Sequence, residues 1–390
     1  MLALRLHGEW IPRKDYRPTP EEESTRKAQH GSRVWKNTTI KLEEIKRPEP
    51  GPGEVLLRIK ACGICGSDVH MYEKDEEGYM LYPGLVGPLP VVIGHELSGE
   101  VVEVGRGVDW LKPGDPVTCE EMWWCGICDP CRGGLLNHCI NLEEMGFTKD
   151  GGFAEYMIVP AKYCWKIDSL LDVYKSEDRM YEAGSLVEPT SVSYNAMFVR
   201  AGGFRPGAYI VVWGCGPIGL ACIALAKAAG AGMIIAFEVV PERLELAKEM
   251  GADYTFNPKD LEAKGIQPYE KILDVTGGWG ADMQIEAAGA PKATLPQMEK
   301  CLAINGKIAW IGRADVEAPV WLEYFQVRRS QIFGSQGHSG HWIFPFVIRL
   351  MAAGKIDMTK IITRRYRLSE GIEALERSTK RIDAKITIKP

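Results

Sequence analysis

Four cysteines crowd into residues 125–139 with the spacing Cys125-x2-Cys128-x2-Cys131-x7-Cys139, in a loop broken by Gly126, Pro130, Gly133 and Gly134. Four thiolates so spaced make a closed tetrahedral zinc site, which ties a loop together and leaves no position for a substrate. A cubane iron–sulfur cluster also takes four cysteines, but its usual spacings differ. The crowding is too tight for a secreted disulfide framework, and eleven cysteines cannot all pair with one another. His138, beside the last cysteine, reads as a packing or solvent-facing residue.

A second group is spread along the chain. Cys65, Ser67, Asp68 and His70 fall in Cys62-Gly-Ile-Cys-Gly-Ser-Asp-Val-His70, His95 and Glu96 in Gly-His-Glu, and Glu188 just before Pro189. Taken singly, Cys65 could be a packed apolar residue and His95 a core histidine beside an acid. Taken together, one thiolate, one imidazole and one or two carboxylates make an open zinc site, with a position left for water or an alcohol. Zinc lowers the pKa of a bound hydroxyl, so an alkoxide becomes accessible near neutral pH and can pass hydride to a nicotinamide.

The nicotinamide carrier has its own signature. Gly214-Cys-Gly216-Pro217-Ile218-Gly219 follows a strand-like run and opens a helix-like one. The first glycine permits the tight turn, the second lets the backbone approach a pyrophosphate, and the third lets helix pack on strand. A glycine-rich turn with no ligand is the alternative. Glu238 ends the next strand; a carboxylate there suits ribose hydroxyls and repels a 2′-phosphate, which favours NAD over NADP. Arg243 nearby leaves NADP tolerance open.

These residues need two kinds of scaffold. Between residues 46 and 166, short β-rich runs (Glu54–Ala61, Leu97–Val104, Asp115–Cys119, Phe153–Val159) alternate with Gly and Pro, which predicts a compact β-rich barrel or sandwich. From residue 208 the pattern changes to strand Ala208–Trp213, helix Ile218–Ala229, strand Met233–Phe237 and helix Pro241–Met250. Strands Lys271–Val275, Met283–Glu286 and Gly306–Ile311 follow. Alternating strands and helices predict an α/β doubly wound parallel sheet. Residues 11–45 are polar and read as a surface excursion. The 390-residue length, with 45% apolar and 25% charged residues, fits two soluble globular domains. A net charge of −5 argues against nucleic acid or an anionic membrane as partner. The uncharged stretch Pro206–Ala226 is long enough for a bilayer, but its glycines fit strand, turn and helix better. No signal-peptide core forms around Arg5, His7 and Glu9, so a cytoplasmic protein is expected.

Both zinc patterns and the nucleotide fingerprint, in this order, resemble the zinc-dependent medium-chain dehydrogenase/reductase family from about residue 46 onward. The resemblance implies a GroES-like β-rich catalytic domain (1–192 and 335–390), a Rossmann NAD-binding domain (193–334), and a site in the cleft between them. It implies that Cys65, His95 and Glu188 hold a catalytic zinc, with Glu96 able to ligate or swing off. Glu188 stands where the sorbitol-dehydrogenase branch has Glu and the familiar alcohol dehydrogenases have Cys, pointing to polyols and other secondary alcohols. Ser67 and His70 match the family's proton relay, Asp68 a residue that orients a zinc ligand from behind, and Cys62 a packing position. His338 and His341 in Gly334-Ser-Gln-Gly-His-Ser-Gly-His341 could meet a polar substrate or serve a surface role.

Outside the generic motifs, the extended amino-terminal region, Asp75–Gly84, Glu120–Cys125 and Gly334–His341 resemble bacterial members that oxidise a secondary hydroxyl of an inositol-derived ring ketone with NAD. The expectation is an NAD-dependent zinc dehydrogenase of a cyclic polyol or keto-inositol, with one catalytic and one structural zinc. A homodimer or homotetramer is expected, with Ala303–Ile311 as a candidate edge strand and residues 11–45 covering the cleft or building an oligomer contact. Threonine or linear-polyol dehydrogenase is the alternative, and a non-catalytic NAD- or zinc-binding module a more distant one.

Overall fold

The computed structural model describes residues 1–390. The chain divides into one unit of residues 1–188, 344–352 and 362–390, and a second of residues 189–343 and 353–361. The first unit begins with strands β1 (Leu2–Trp10), β2 (Trp35–Glu44), β3 (Glu54–Gly63), β4 (Val91–Val92), β5 (Glu96–Val104), β6 (Pro116–Cys119), β7 (Met122–Trp123), β8 (Glu143–Glu144), β9 (Tyr156–Pro160) and β10 (Cys164–Lys166). The second holds β11 (Tyr209–Trp213), β12 (Met233–Phe237), β13 (Tyr254–Phe256), β14 (Ala281–Glu286), β15 (Leu302–Trp310) and β16 (Gln331–Gly334). The chain returns to the first unit for β17 (Ile362–Arg367) and β18 (Lys385–Lys389).

Strand β3 organises the first unit. Val55, Leu57 and Ile59 are buried in a core with Leu97, Val101, Phe153 and Ile388. One side of β3 pairs antiparallel with β5; the other pairs with β9 along its first half and with β18 at Cys62 and Gly63. The sheet order is β10-β6-β5-β3-β18-β17, with β9 against β3. Carboxyl-terminal strands are held by charge as well as pairing. Glu182, buried in helix Glu177–Ser185, accepts two hydrogen bonds from Arg365 (2.6 and 2.9 Å) and pairs with Lys389 at 2.6 Å.

Residues 11–45 carry more structure than a surface excursion. β2 runs antiparallel to β1 along most of its length. Its alternation (Thr38 and Ile40 buried) is diluted by lysines and acids, which hid the strand. Helix Pro20–Thr25 starts with a Thr19/Glu22 capping box. Glu22 is itself buried and accepts from Tyr16 Oη (2.8 Å) and Gln29 N (2.9 Å). Burial and the Glu22 charge push the Tyr16 phenol up to about 12. The segment packs on residues 75–86, through Ala28 N to Val86 O at 2.8 Å and an Arg13–Asp75 ion pair.

The second unit is a six-stranded parallel sheet in the order β13-β12-β11-β14-β15-β16. This order reverses direction at β11, as in dinucleotide-binding doubly wound sheets. Met233–Phe237 and Pro241–Met250 form as the sequence suggests. Lys271–Val275 does not: it lies in helix Pro268–Val275, started by Pro268 and a Gln267/Glu270 capping box. A short apolar run cannot by itself separate strand from helix, and the cap decides it here. The missing strand is β13. Ala303–Ile311 is not an edge either, because β15 lies between β14 and β16; the open edges are β13 and β16. No helix is long and apolar enough to cross a membrane.

Asp115 closes the turn into β6, accepting from Lys112 N (3.0 Å) and pairing with Lys166 Nζ at 2.8 Å. Burial alone would raise its carboxyl, but hydrogen bonds from Lys112 and Lys166 bring it down to about 2. A depressed native pKa contributes stability above the unfolded value, near 4, and loses it as pH falls through the native one. Asp115→Asn is therefore expected to lower the melting temperature by a few degrees at neutral pH. The gap from wild type should close between about pH 4 and 2 in a pH series of thermal melts, and a gap that persists at pH 2 contradicts this account.

Candidate active site

Two tight turns bring Cys65, His95 and Glu96 together. After β3 the chain enters helix Gly66–Tyr72 with Cys65 as its N-cap, and Asp68 Oδ2 accepts from Cys65 N at 2.8 Å. Ahead of β5, Gly94 adopts φ +92°, and a Cβ there would meet the Phe153 ring at 2.8 Å, so only glycine fits. Cys65, His95 and Glu96 each offer a ligand atom, and these lie within 4.8 Å of one another. The His95 ring is buried against Phe147, with centroids 4.9 Å apart. Its Nδ1 is 3.7 Å from Asp68 Oδ1 and its Nε2 is 3.4 Å from Ser67 Oγ. Asp68 thus stands behind one ring nitrogen and Ser67 beside the other. Burial pushes the imidazole down, but Asp68, Cys65 and Glu188 outweigh it and hold His95 well above its ordinary value. His70 is half-buried on the same helix, one turn after Ser67.

A residue that sequence reading missed lies beneath the group. Lys385 on β18 is 1% exposed, and its ammonium donates to Glu96 Oε2 and to Ile64 O (3.0 Å). Gly63 makes room for the pair: a Cβ there would come within 2.2 Å of Glu96 Oε2 and 3.2 Å of Lys385 Cδ. In Lys385-Ile-Thr-Ile-Lys389 the isoleucines alternate with polar residues, which reads as a strand with Lys385 outward. Burial of both faces of β18 was not visible in that pattern.

Glu188 is buried but falls in a neighbouring acidic group rather than in the Cys65 cluster. Its carboxylate lies within 4.8 Å of that of Glu121, a second residue the motifs did not single out. Burial, Glu144 and Glu188 push the Glu121 carboxyl well above the usual range. Glu188 also raises Glu96, whose burial dominates and which Lys385 pulls back down.

The four clustered cysteines converge, with all sulfurs within 4.8 Å of one another. Cys128 and Cys139 Sγ are 3.8 Å apart. That matches the edge of a tetrahedron with zinc–sulfur bonds of about 2.3 Å. Backbone N–H groups of Ile127 and Cys128 pull the Cys125 thiol down to about 6, whereas burial pushes Cys131 up to about 12. The donor sets at both places suit zinc. His138 ends a short 3-10 turn and is not among the clustered donors.

In the second unit Gly214 has φ +90°, and a Cβ there would meet Ala288 at 2.8 Å. A Cβ on Gly219 would come within 1.8 Å of Gly214 O, so the helix packs that closely on the strand. A Cβ on Gly216, by contrast, meets nothing within 4 Å, which leaves space in front of helix Pro217–Ala228. Pro217 and Ile218 open its first turn, where the N–H groups of Ile218 and Gly219 suit a phosphate. Glu238 accepts from Cys215 N (2.8 Å), Val239 N (2.7 Å) and Val240 N (3.0 Å), which pins its carboxylate at the mouth of the turn. Arg243 Nη1 lies 3.9 Å from Glu238 Oε2. The cradle fits a dinucleotide. Asn195 Nδ2 donates to Gln336 O (3.3 Å) and Gly337 O (2.8 Å), fixing the segment in which His338 is buried and His341 exposed.

Residues 51–169 match the alcohol dehydrogenase GroES-like domain and residues 217–353 the zinc-binding dehydrogenase domain. The chain is 48% identical over 388 residues to scyllo-inosose 3-dehydrogenase of Thermotoga maritima, covering 97% of this chain and 96% of that one. It is 36% identical over 327 residues to L-threonine 3-dehydrogenase of Pyrococcus horikoshii, covering 84% and 88%. A solved Thermotoga maritima structure described as an alcohol dehydrogenase superposes with TM-score 0.95 at 47% identity, covering all of both chains. Fold, donor sets and these matches agree: the chain belongs to the zinc-binding dehydrogenases of the GroES-like and Rossmann type, oxidoreductases acting on the CH–OH group of small-molecule alcohols.

Proposed function

We propose that this chain is an NAD-dependent dehydrogenase that oxidises a secondary hydroxyl of a cyclic polyol or keto-inositol of the scyllo-inosose type. The observation that carries this reading is the 48% identity to scyllo-inosose 3-dehydrogenase across 97% of the chain. The carboxylates Glu96, Glu121 and Glu188 around Cys65 and His95 support it, since a polyhydroxylated substrate needs hydrogen-bond acceptors. L-threonine oxidation is the second reading, favoured by the 36% identical relative.

In this reading Cys65 and His95, with Glu188 or Glu96, hold the catalytic zinc, and Cys125, Cys128, Cys131 and Cys139 hold the structural one. Gly214, Gly216, Pro217, Ile218, Gly219 and Glu238 hold the dinucleotide, and the Glu238 carboxylate selects NAD by repelling a 2′-phosphate. When bound, zinc acidifies the substrate hydroxyl and NAD accepts the hydride. The chain's own residues manage the proton and the geometry. Ser67 Oγ, beside His95, accepts the released proton and passes it toward His70, whose imidazole returns it to solvent. Asp68 holds the His95 ring from behind. Lys385 neutralises Glu96 and holds its Oε2.

We infer a homo-oligomer built through the open edge of β16, where Ile332 is exposed and Leu322 and Val327 nearby are more so. An unpaired strand edge with exposed apolar residues is a template for pairing with a second copy. Sedimentation should give a dimer or tetramer, and a monomer at micromolar concentration removes this inference.

NADH formation tests the substrate. Purified protein should turn over scyllo-inosose faster than sorbitol, L-threonine or 2-butanol, and with NAD in preference to NADP. Threonine as the preferred substrate would move the chain to the second reading. The two metal sites separate by substitution. Cys65→Ser is expected to abolish turnover at nearly unchanged melting temperature, whereas Cys128→Ser is expected to lose one zinc per chain and melt lower. Turnover by Cys65→Ser near the wild-type rate would refute the metal role of that thiolate.

A further inference from the structure

Two cysteines outside the metal groups face each other across a strand pair. Cys119 ends β6 and Cys164 opens β10, and the two are register partners in the antiparallel ladder. Their sulfurs stand 3.6 Å apart, both within the core of the first unit. The hydrogen bond from Glu120 N to Tyr163 O, 2.9 Å, marks the next pair along as hydrogen-bonded. The bond from Ile167 N to Pro116 O, 3.0 Å, fixes the same alternation at the other end. Cys119 and Cys164 are therefore a non-hydrogen-bonded pair, the kind whose side chains lie closer and whose Cα atoms are about 4.5 Å apart. A disulfide accepts Cα separations of about 4.4–6.8 Å, so the backbone already stands where a cystine needs it.

The position also gives such a bond work to do. The two cysteines are 45 positions apart, and the chain between them carries the whole four-cysteine loop. Strand β10 is three residues long and lies at the edge of its sheet, so few hydrogen bonds hold it. A covalent link at Cys164 would bind that edge to β6 and restrict the unfolded chain over the same span, which stabilises the fold. Cys164 is 8% exposed and Cys119 fully buried, so Cys164 is the sulfur a reagent reaches first. Burial, then the neighbouring Cys164 and Glu120, hold the Cys119 thiol well above its ordinary value, which suits it to resolve rather than to attack first.

We propose that Cys119 and Cys164 are a modification site, oxidised by a low-molecular-weight disulfide such as oxidised glutathione to an intrachain disulfide that locks β10 onto β6. In the first step the Cys164 thiolate attacks one sulfur of the small disulfide. A mixed disulfide forms, the small S–S bond breaks, and the departing thiolate takes up the proton that Cys164 gave up. In the second step the Cys119 sulfur loses its proton and attacks the Cys164 sulfur. The Cys119–Cys164 bond forms, and the second small thiol leaves with that proton. Two electrons pass from the protein thiols to the small disulfide, which is reduced to two thiols. The second step is intramolecular, between sulfurs already in contact, and outruns addition of another small molecule.

The experiment takes the zinc-loaded full chain, as wild type, Cys119→Ala and Cys164→Ala, with and without oxidised glutathione. Free thiols are alkylated and unreduced peptides mapped by mass spectrometry, with zinc per chain and melting temperature measured on the same samples. Treated wild type should yield linked peptides carrying Cys119 and Cys164, keep its zinc, and melt several degrees above the reduced form. Dithiothreitol should reverse both the link and the rise. Cys164→Ala should show neither, and Cys119→Ala should stop at the glutathione adduct on Cys164. The wild-type map decides the matter even where an alanine variant fails to fold. Absence of the link in wild type at full zinc content overturns the proposal. So does a link that forms only after zinc is lost, which would make it a product of unfolding. A link that leaves the melting temperature unchanged or lower overturns the lock as well.

Discussion

An ammonium and a carboxylate meet inside this protein with almost no access to water: Lys385 on β18 and Glu96 at the start of β5, 1% exposed each. Neither charge is tolerable there alone. Each loses several kcal/mol of hydration, and removing one partner of such a pair typically costs about 3–5 kcal/mol. The pair therefore fixes β18 against the turn that follows β3, hundreds of residues earlier in the chain. Gly63 is the consequence in the sequence, because any side chain at that position would occupy the space of the Glu96 carboxylate. The return of residues 362–390 to the first unit, through β17, β18 and the Glu182 ion pairs, is thus tied to the geometry of the site.

The same pair sets the charge balance. Cys65, Glu96, Glu121 and Glu188 gather acidic side chains here, and two cationic groups stand among them, Lys385 and a His95 whose protonated form its neighbours favour. Cys65 and His95 would hold a divalent ion in their deprotonated forms, so binding it would release the His95 proton. Lys385 offsets part of the burial that raises Glu96, while Glu121, raised by burial, Glu144 and Glu188, stays well above the usual carboxylate range. Lysine at position 385 acts as a fixed counterion that needs no solvent.

Much of this was legible in the sequence, for a physical reason in each case. The four-cysteine loop and the Gly214–Gly219 turn are local: their chemistry depends on spacing within a few residues, and spacing survives as text. Cys65, His95 and Glu96 were legible because their neighbours, Gly94 and the cap at Cys65, are dictated by the turns that aim them. Lys385 and Glu121 were not. Both act through burial, and burial of a charged side chain depends on strands far away in sequence that a local pattern cannot show. The strand assigned to Lys271–Val275 failed for a related reason. Five residues of mixed apolar character satisfy either periodicity, and the decision lay with the cap at Gln267 outside the run. The polar run at 35–44 hid β2 because its outward face carries enough lysine and glutamate to mask the buried one.

The two metal sites are usually separated by role, one holding structure and the other doing chemistry. Here Glu121, whose carboxyl interacts with His95, Cys65 and Glu188, stands a few residues before Cys125 and links the two places. Glu121 is followed directly by Met122, which packs in a small apolar cluster with Cys131, Cys139 and Leu142 of the four-cysteine loop. On the other side, Glu120 is held by the indoles of Trp124 and Trp165. The residue at 121 therefore stands on a short segment held on both sides, by the indoles on Glu120 before it and by the cysteine loop after it. A closed tetrahedral site resists deformation more than hydrogen-bonded loop backbone does, because its ligand distances are fixed to within tenths of an ångström. Through Met122 that stiffness would reach the backbone at Glu121. The four-cysteine site, which leaves no position for a substrate, would in this way hold the backbone that borders the Cys65 and His95 group.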